Sequence, residues 1–186
     1  MRLLAEALRL EGVPAVFTRE PGGTELGEQI RALLIGKDAR MASKTEALLL
    51  NAARAELVET IIAPALAAQQ LVVSDRFWDS TLAYQGYGRG VALQPLMELN
   101  SFAAGGLEPH LTFLLDIPVA ALHERLHGRD ADRLERETPA FHERVAFGYR
   151  ELASLNPQRF VVLDGTQEQG LIAAHIRATV LERWHA

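Results

Sequence analysis

The sequence predicts an α/β domain built on a parallel β-sheet. Short apolar runs such as Leu71–Ser74 and Leu111–Asp116 lack a regular alternation of apolar and polar residues, which indicates strands buried on both faces. Longer amphipathic segments separate these runs, and crossover helices of this kind connect parallel strands. The 186 residues, 48% of them hydrophobic, can bury one core, and neither a linker nor an internal repeat divides them. We therefore predict a single domain over residues 1–186.

Capping signals predict the amino-terminal elements. The first residues are typical of the end of a helix, because apolar side chains recur on one face and Gly12 stands where a C-terminal cap belongs. Residues 13–18 predict a short strand, and Thr24 can cap a helix that ends near Ile35. Ser43–Glu46 has the pattern of a capping box, which opens a long helix.

The rest of the chain continues the alternation of helix and strand. Pro64 breaks or restarts the long helix, because proline lacks the N–H group that a helix interior needs. Pro118 suits the first residue of a helix. The other predicted elements are a strand over 71–74 that ends at Asp75, helices near 80–85 and 93–104, strands over 111–116 and 159–163, and helices over 139–155 and 167–184.

Composition narrows the class of protein. The sequence has no cysteine, so disulfides and zinc–thiolate sites are excluded, which suits a cytoplasmic protein. A formal net charge of -5 disfavours nucleic acid as a partner, because its phosphates attract basic proteins. No apolar run approaches the roughly 20 residues of a membrane span, so we expect no membrane partner.

A charged turn follows the first predicted strand. Arg19 and Glu20 precede Pro21–Thr24, which has the proline, glycines and capping threonine of an ordinary turn. A turn alone does not need the arginine and the glutamate, and ligands of parallel sheets bind beyond the carboxyl ends of the strands. We therefore predict that this turn contributes to a binding site.

The second predicted strand ends in another charged motif, Asp75-Arg76-Phe77. Arg76 offers paired planar donors that match a phosphate group. Asp75 could hold Mg²⁺ through a water molecule or orient a donor. The alternative is a strand end closed by a salt bridge, which needs no ligand.

Four arginines lie between residues 125 and 137, spaced four, four and three residues apart. If this segment is helical, they form one stripe. Acidic residues interleave with them, so one interpretation is a solvated helix laced with salt bridges. The other is a lid that closes over phosphates and neutralises charge on a transferring group. The arginines are Arg125, Arg129, Arg133 and Arg136.

In order and spacing, these motifs resemble the bacterial thymidylate kinases over essentially the whole chain. The segments that carry the resemblance are Thr18–Thr24, Asp75–Phe77, Ser80–Gly90 and Arg125–Arg136. That family has a P-loop NTPase-like parallel sheet flanked by helices, whose first strand leads into a G-x-x-x-x-G-K-[ST] phosphate loop. This sequence has no such loop. We therefore expect an α/β, P-loop NTPase-like fold that lacks the first strand and the phosphate loop, with a gap in the sheet.

The resemblance implies an ATP-dependent kinase that transfers the γ-phosphate of ATP to dTMP, uses Mg²⁺ and commonly forms a homodimer. We expect the phosphate loop to be encoded upstream of Met1, and the chain without it to be impaired in catalysis. Two alternatives stay open. One is a nucleotide-binding remnant that transfers nothing, and the other is a kinase for a different deoxynucleotide or nucleoside.

The resemblance also assigns roles on the dTMP side. Arg76 would bind the acceptor phosphate, and the amide of Gln85 can both donate to and accept from a pyrimidine edge. Leu50 and Arg54 share a helix face, where the family has an aromatic residue that stacks on thymine and an arginine that reaches a base oxygen. Without the family, Leu50 is simply a core residue. The implied binding residues are Glu20, Arg31, Leu50, Arg54, Arg76, Thr81, Tyr84 and Gln85.

Other residues would serve catalysis and the phosphate donor. By resemblance, Arg129 and Arg133 are the lid arginines that act on the transferring group, and Asp75 is the third candidate catalytic residue. We predict no direct metal ligand. Asp164 and Thr166 lie in a loop that touches adenine in related kinases, although a plain turn explains that sequence equally well.

Overall fold

A computed structural model describes residues 1–36, 39–126, 128 and 131–185 of the chain. Within them helices and strands alternate, as the sequence predicts, and two short π-helical segments interrupt the α-helices. The elements are α1 (Arg2–Leu10), β1 (Ala15–Arg19), α2 (Glu25–Ile35), α3 (Ser43–Leu57), π1 (Val58–Ile62), α4 (Ala63–Ala67), β2 (Leu71–Asp75), α5 (Trp78–Thr81), π2 (Leu82–Gly88), α6 (Leu93–Ala103), β3 (Thr112–Asp116), α7 (Val119–Leu126), α8 (Pro139–Leu155), β4 (Phe160–Asp164) and α9 (Gln169–Trp184).

The four described strands form two parallel pairs. β1 runs beside β2, with Arg19 opposite Asp75 at the carboxyl end. β3 runs beside β4, with Asp116 opposite Asp164. Within the described part of the chain, the two pairs remain separate sheets. The parallel arrangement and the gap that the sequence predicts are therefore both present.

Helices cover the strands on their apolar sides. Leu8 of α1 and Val180 of α9 belong to one buried cluster, which packs against Phe17 of β1 and Val73 of β2. A second cluster lies between α8 and π2 around Phe141, whose side chain is almost fully buried. No helix in the described ranges is both long and apolar enough to cross a lipid bilayer.

The predicted capping box at the start of α3 is wrong. Ser43 is the first helical residue, and Ala42 before it makes no side-chain capping hydrogen bond. The Glu46 side chain is buried instead, where it accepts hydrogen bonds from Gln85 and Arg133. A guanidinium group neutralises the buried carboxylate, which the backbone of a helix start cannot do, so the tertiary contacts prevail.

The helix that begins at Ser43 continues past its predicted interruption. π1 carries the chain directly from α3 into α4. Pro64 is the second residue of α4, in the first turn, where its missing N–H group costs little. The backbone is helical from α3 through π1 into α4, so the prediction that Pro64 breaks or restarts the helix is wrong.

The condition for an arginine stripe, a helix that continues through Arg125 to Arg136, is not met in the described residues. α7 ends at Leu126, and Gly128 has a φ of 78°, a left-handed conformation that is common where helices end. Residues 131–137 then form turns rather than a helix. Arg133 therefore shares no helical face with Arg125.

Candidate functional site

The carboxyl ends of β1 and β2, here called the β1–β2 edge, bring the two predicted strand-end motifs together. The Glu20 N–H group donates to the Asp75 carbonyl oxygen at 3.0 Å. Glu28 of α2 steadies the turn, because it binds Arg19 and accepts from the Gly23 N–H group, each at 3.0 Å. The loop after β1 is thus fixed against the loop after β2.

Glu20 forms a buried ion pair with Arg54 of α3. Arg54 Nη2 lies 2.6 Å from Glu20 Oε2, and only 1% and 5% of the two side chains are exposed. Burial raises the pKa of the Glu20 carboxyl, and the charge and hydrogen bonds of Arg54 oppose that rise. Because either group alone would be a costly buried charge, the pair ties the turn after β1 firmly to α3.

The other donors of Arg54 are occupied as well. Nη1 donates to Asn51 at 3.1 Å and to Asn100 at 2.7 Å. Nη2 donates to Thr81 at 3.1 Å, in addition to the bonds with Glu20. Every N–H group of the guanidinium therefore has a protein partner. Arg54 can reach a base oxygen, as the resemblance implies, only if a ligand displaces one of them.

Arg76 stands at the end of β2 with an exposed side chain. Its φ of 73° is unusual for a residue with a side chain, and such conformations cluster at functional sites. The guanidinium lies 5.0 Å from the centroid of the Tyr84 ring and makes one long hydrogen bond, 3.4 Å, to the Tyr84 hydroxyl. Asp75 is exposed next to it. Among the described residues the other donors of Arg76 have no hydrogen-bond partner, so they can bind an anionic ligand.

Tyr84 is held in a cluster of aromatic rings. Its ring meets Phe141 and Tyr149 edge to face, at centroid distances of 6.1 and 6.3 Å. The Tyr149 hydroxyl donates to Ser80 at 2.8 Å, and burial raises its pKa to about 12, against the charge of Arg76. Tyr149 is therefore neutral at ordinary pH, and the cluster gives Tyr84 a fixed orientation under the guanidinium.

Thr81 and Gln85 lie on the helical stretch formed by α5 and π2, and both are buried. Thr81 is held by Arg54. Gln85 Nε2 donates to Glu46 at 2.6 Å. The Gln85 side-chain oxygen Oε1 is buried and has no hydrogen-bond partner among the described residues. Buried acceptors are usually paired, so this oxygen is suited to accept a hydrogen bond from a ligand.

Leu50 and Arg31 play supporting parts in this structure. Leu50 is half-buried and packs with Leu34 and Ala53 in a hydrophobic cluster between α2 and α3. Arg31 Nη1 donates to the Pro21 carbonyl oxygen at 3.0 Å. Leu50 therefore behaves as a wall residue, and Arg31 steadies the loop that carries Glu20.

The predicted lid spans residues 125–137, and its described part over residues 131–137, here called the lid segment, is tied to α2 and α3. Arg133 Nη2 donates to Glu46 at 2.5 Å, and Arg133 Nε donates to the Leu34 carbonyl oxygen at 2.8 Å. In this structure Arg133 therefore binds a carboxylate and not an open site. The other predicted lid arginine, Arg129, lies outside the described residues.

The sequence analysis missed several buried polar residues that hold this site together. Glu46 accepts hydrogen bonds from Gln85 of π2 and Arg133 of the lid segment. Asn51 and Asn100 accept hydrogen bonds from Arg54. The position of one of them, Asn100, could have been predicted from the sequence. Asn100 stands four residues after Leu96, on the buried face of α6, and a buried asparagine needs partners.

The carboxyl ends of β3 and β4, here called the β3–β4 edge, carry the remaining predicted residues. Asp164 is exposed and accepts from the Thr166 N–H and hydroxyl groups at 2.9 and 2.6 Å, which lowers the pKa of its carboxyl. A cavity of about 340 Å³ opens beside it, lined by Asp116, Pro118, Arg150 and Val162, among others. The Asp164 loop thus borders an open cavity that none of the β1–β2 edge residues line.

The described residues contain no cluster of three or more histidine or acidic side chains that could hold a metal ion. Asp75 offers a single exposed carboxylate at the β1–β2 edge. Mg²⁺ prefers oxygen ligands and keeps several of its waters, so a single exposed carboxylate could hold that ion through water.

Comparisons with a family model and with individual known proteins identify the same family. The family model described as thymidylate kinase matches residues 1–176. A thymidylate kinase from Synechococcus sp. (strain JA-2-3B'a(2-13)) is 49% identical over 181 residues, which cover 97% of this chain and 86% of that protein. One from Desulforudis audaxviator is 49% identical over 166 residues, 89% of this chain and 75% of that protein. One from Kosmotoga olearia is 45% identical over 165 residues, 88% of this chain and 79% of that protein.

Proposed function

The chain belongs to the thymidylate kinase family, and on that premise we propose that it transfers the γ-phosphate of ATP to dTMP, giving dTDP. The observation that carries this proposal in the structure is Arg76. Its exposed guanidinium stands at a strand end, is oriented by Tyr84 and lies next to the turn that carries Glu20. Ligands of parallel sheets bind at this edge, and arginine matches a phosphate with paired donors.

The β1–β2 edge is the proposed dTMP site. Arg76 binds the 5′-phosphate, and Tyr84 lies under the sugar. Leu50 gives an apolar wall for the base and Gln85 supplies a polar contact, while Arg54 supplies another once the base displaces one of its protein partners. Thr81, Glu20 and Arg31 keep these groups in place through the bonds to Arg54 and to Pro21. Such preorganisation suits phosphoryl transfer, which depends on positioning and electrostatics.

In this proposal the lid segment supplies the positive charge that stabilises the transition state. Arg133, with Arg129, would neutralise the transferring phosphoryl group. Because Arg133 is bound to Glu46 and Leu34 in this structure, it must leave those partners before it reaches a phosphate. Movement of the lid segment is therefore a required step, and it would also exclude water from the reacting groups.

The β3–β4 edge is the proposed site for the adenine of ATP, with Asp164 and Thr166 at its border. Mg²⁺ would neutralise phosphate charge, and Asp75 would orient it through water. The sequence contains no phosphate loop, and backbone N–H groups of such a loop normally hold the donor phosphates. The second candidate function is a nucleotide-binding protein that does not transfer phosphate.

We also infer a cytoplasmic homodimer. The sequence lacks cysteine, which suits a reducing compartment. Large apolar side chains are exposed, including Phe102 at 85% and Leu155 at 71%, and such side chains are common in subunit interfaces. Light scattering on the purified protein tests the dimer, because a monomeric mass across the working concentration range would contradict it.

A coupled ADP-release assay with ATP and dTMP tests the proposed reaction. It compares the 186-residue chain with a version extended upstream through a phosphate loop. We expect dTMP-dependent ADP release from the extended version, and at least about 10³-fold slower release from the 186-residue chain. Other nucleoside monophosphates serve as competitors, and circular dichroism serves as the folding control.

Each other outcome has a clear meaning. If both versions bind dTMP and neither releases ADP, the non-catalytic candidate replaces the kinase. Faster turnover with a different monophosphate would reassign the substrate. Equal turnover by the two versions would mean that unidentified residues bind the donor phosphates, and the mechanism assigned to the missing loop would be wrong.

A further inference from the structure

Glu46 is a buried carboxylate on which three side chains converge. Its side chain is 1% exposed. Gln85 Nε2 donates to Oε1 at 2.6 Å, Arg133 Nη2 donates to Oε2 at 2.5 Å, and Arg89 lies 3.4 Å away. Burial raises the pKa of Glu46, but the hydrogen bonds from Gln85 and Arg133 and the charges of the two arginines outweigh it and lower the pKa. Glu46 is therefore ionised at neutral pH and can only accept hydrogen bonds.

The ionised carboxylate fixes which way the Gln85 amide points. An acceptor-only partner must face the amide NH₂ group, so the Gln85 carbonyl oxygen faces away from Glu46. That oxygen is buried and lacks a hydrogen-bond partner among the described residues. The Gln85 side-chain oxygen is thus an unsatisfied acceptor, and the Glu46 carboxylate fixes its direction by binding the NH₂ group of the same amide.

We propose that Glu46 is a positioning residue for the acceptor base: by orienting the Gln85 amide, it makes the site select pyrimidines that carry a ring N–H group. This rests on the proposed function, in which Gln85 faces the base of the nucleoside monophosphate. Thymine and uracil carry an N–H group at ring position 3, which can donate to the Gln85 carbonyl oxygen. Cytosine has a lone pair at that position, so two acceptors would face each other and neither would be satisfied.

The two oxygens of Glu46 have separate tasks. Oε1 holds Gln85, and Oε2 holds Arg133 of the lid segment. Arg133 can therefore leave with the lid while the amide stays oriented. The Gln85 carbonyl oxygen is shielded from water in this structure, so the base reaches it only after a neighbouring group moves. The lid segment is the neighbour that shares the carboxylate with Gln85.

The test is calorimetric binding of nucleoside monophosphates to the 186-residue protein and its Glu46→Gln variant. dUMP and dCMP differ only in the hydrogen-bonding edge of the base, and dTMP and dUMP differ only in the methyl group. We expect the unsubstituted protein to bind dUMP at least about 100-fold tighter than dCMP. Glu46→Gln should reduce that ratio at least about tenfold. A neutral amide at position 46 can donate a hydrogen bond to Gln85, so the Gln85 side-chain amide can adopt the flipped orientation.

The ratio of dTMP to dUMP affinity should stay unchanged in the variant. Glu59→Gln is the matched control, since Glu59 is an exposed glutamate of π1 on the same helical stretch, and it should leave both ratios unchanged. An unchanged dUMP:dCMP ratio in Glu46→Gln, or equal weakening of all three ligands, would overturn the inference and leave the proposed function standing. Failure of the unsubstituted protein to bind dTMP or dUMP would overturn both.

A second measurement needs no variant. In the side-chain amide NMR spectrum of the unsubstituted protein, a Gln85 NH₂ proton should exchange slowly with solvent and remain protected when dUMP binds. Gln94, whose side chain is exposed, is the internal reference for fast exchange. Exchange of Gln85 as fast as Gln94, or loss of its protection with dUMP, would contradict the fixed amide.

Discussion

The two sheet edges hold their charges in different ways. At the β1–β2 edge, Glu20 and Arg54 are paired at 2.6 Å with 5% and 1% of their side chains exposed. At the β3–β4 edge, Asp116 and Arg150 are paired at 2.9 Å with 31% and 49% exposed. Buried charges fix a geometry before any ligand arrives, because their separation is costly, whereas exposed pairs contribute little. The β1–β2 edge is thus preformed, and the β3–β4 edge borders an open cavity with local turn contacts.

Breaking one ion pair on each edge tests this difference most strongly. Arg54→Ala should lower the free energy of unfolding by about 3–5 kcal/mol, because it leaves Glu20 and two buried asparagines without their partner. Arg150→Ala should lower it by less than about 1 kcal/mol. Urea unfolding of both variants measures the two values, and similar losses would show that the edges are equally rigid.

Substitution of Arg133 tests whether the lid segment stabilises the transferring phosphoryl group or only contributes to dTMP binding. Arg133→Ala should lower kcat by about 10²-fold, because it removes charge stabilisation of the transferring group, with little change in KM for dTMP. Steady-state kinetics on a version extended through a phosphate loop measures both. Arg136→Ala, in the same segment, serves as the comparison variant. A full kcat in Arg133→Ala would reduce Arg133 to a structural tie to Glu46.

The smallest expected effect comes from Leu50. A substitution there tests how well the β1–β2 edge fits the base of dTMP. Leu50→Phe should tighten dTMP binding by about 0.5–1.5 kcal/mol if the new ring stacks on the base. Calorimetry measures the affinity, and thermal unfolding controls for strain against Leu34 and Ala53. A loss of stability without a gain in affinity would place Leu50 wholly in the core.

The strands were predictable from their apolar residues, although the predicted burial on both faces is wrong, because most strand residues are only partly buried. Their apolar runs stand out in sequence, and the observed bounds lie within about two residues of the predicted ones. The capping box at Ser43 failed because Glu46 finds its partners in Gln85 and Arg133, which lie 39 and 87 residues away in the chain. Local rules cannot detect such distant contacts.

The site was partly predictable for the same reason. Glu20 and Arg76 directly follow β1 and β2, which pair in parallel, so the strand ends bring them to one edge. The full engagement of Arg54 by protein partners was not predictable, because it depends on Asn100 from another helix and on Thr81 from α5. Motif reasoning finds a residue of the site, and only packing shows which of its donors are already in use.

Arg76 is the proposed anchor for the phosphate of dTMP. Calorimetric titration of dTMP into the unsubstituted protein and into Arg76→Ala tests this most directly, with Arg9→Ala on α1 as the matched control. We predict that Arg76→Ala weakens binding by about 1.5–3 kcal/mol, the scale of a charge-assisted hydrogen bond, while Arg9→Ala changes nothing. Equal dTMP affinity in all three proteins would contradict the assignment of the β1–β2 edge as the dTMP site.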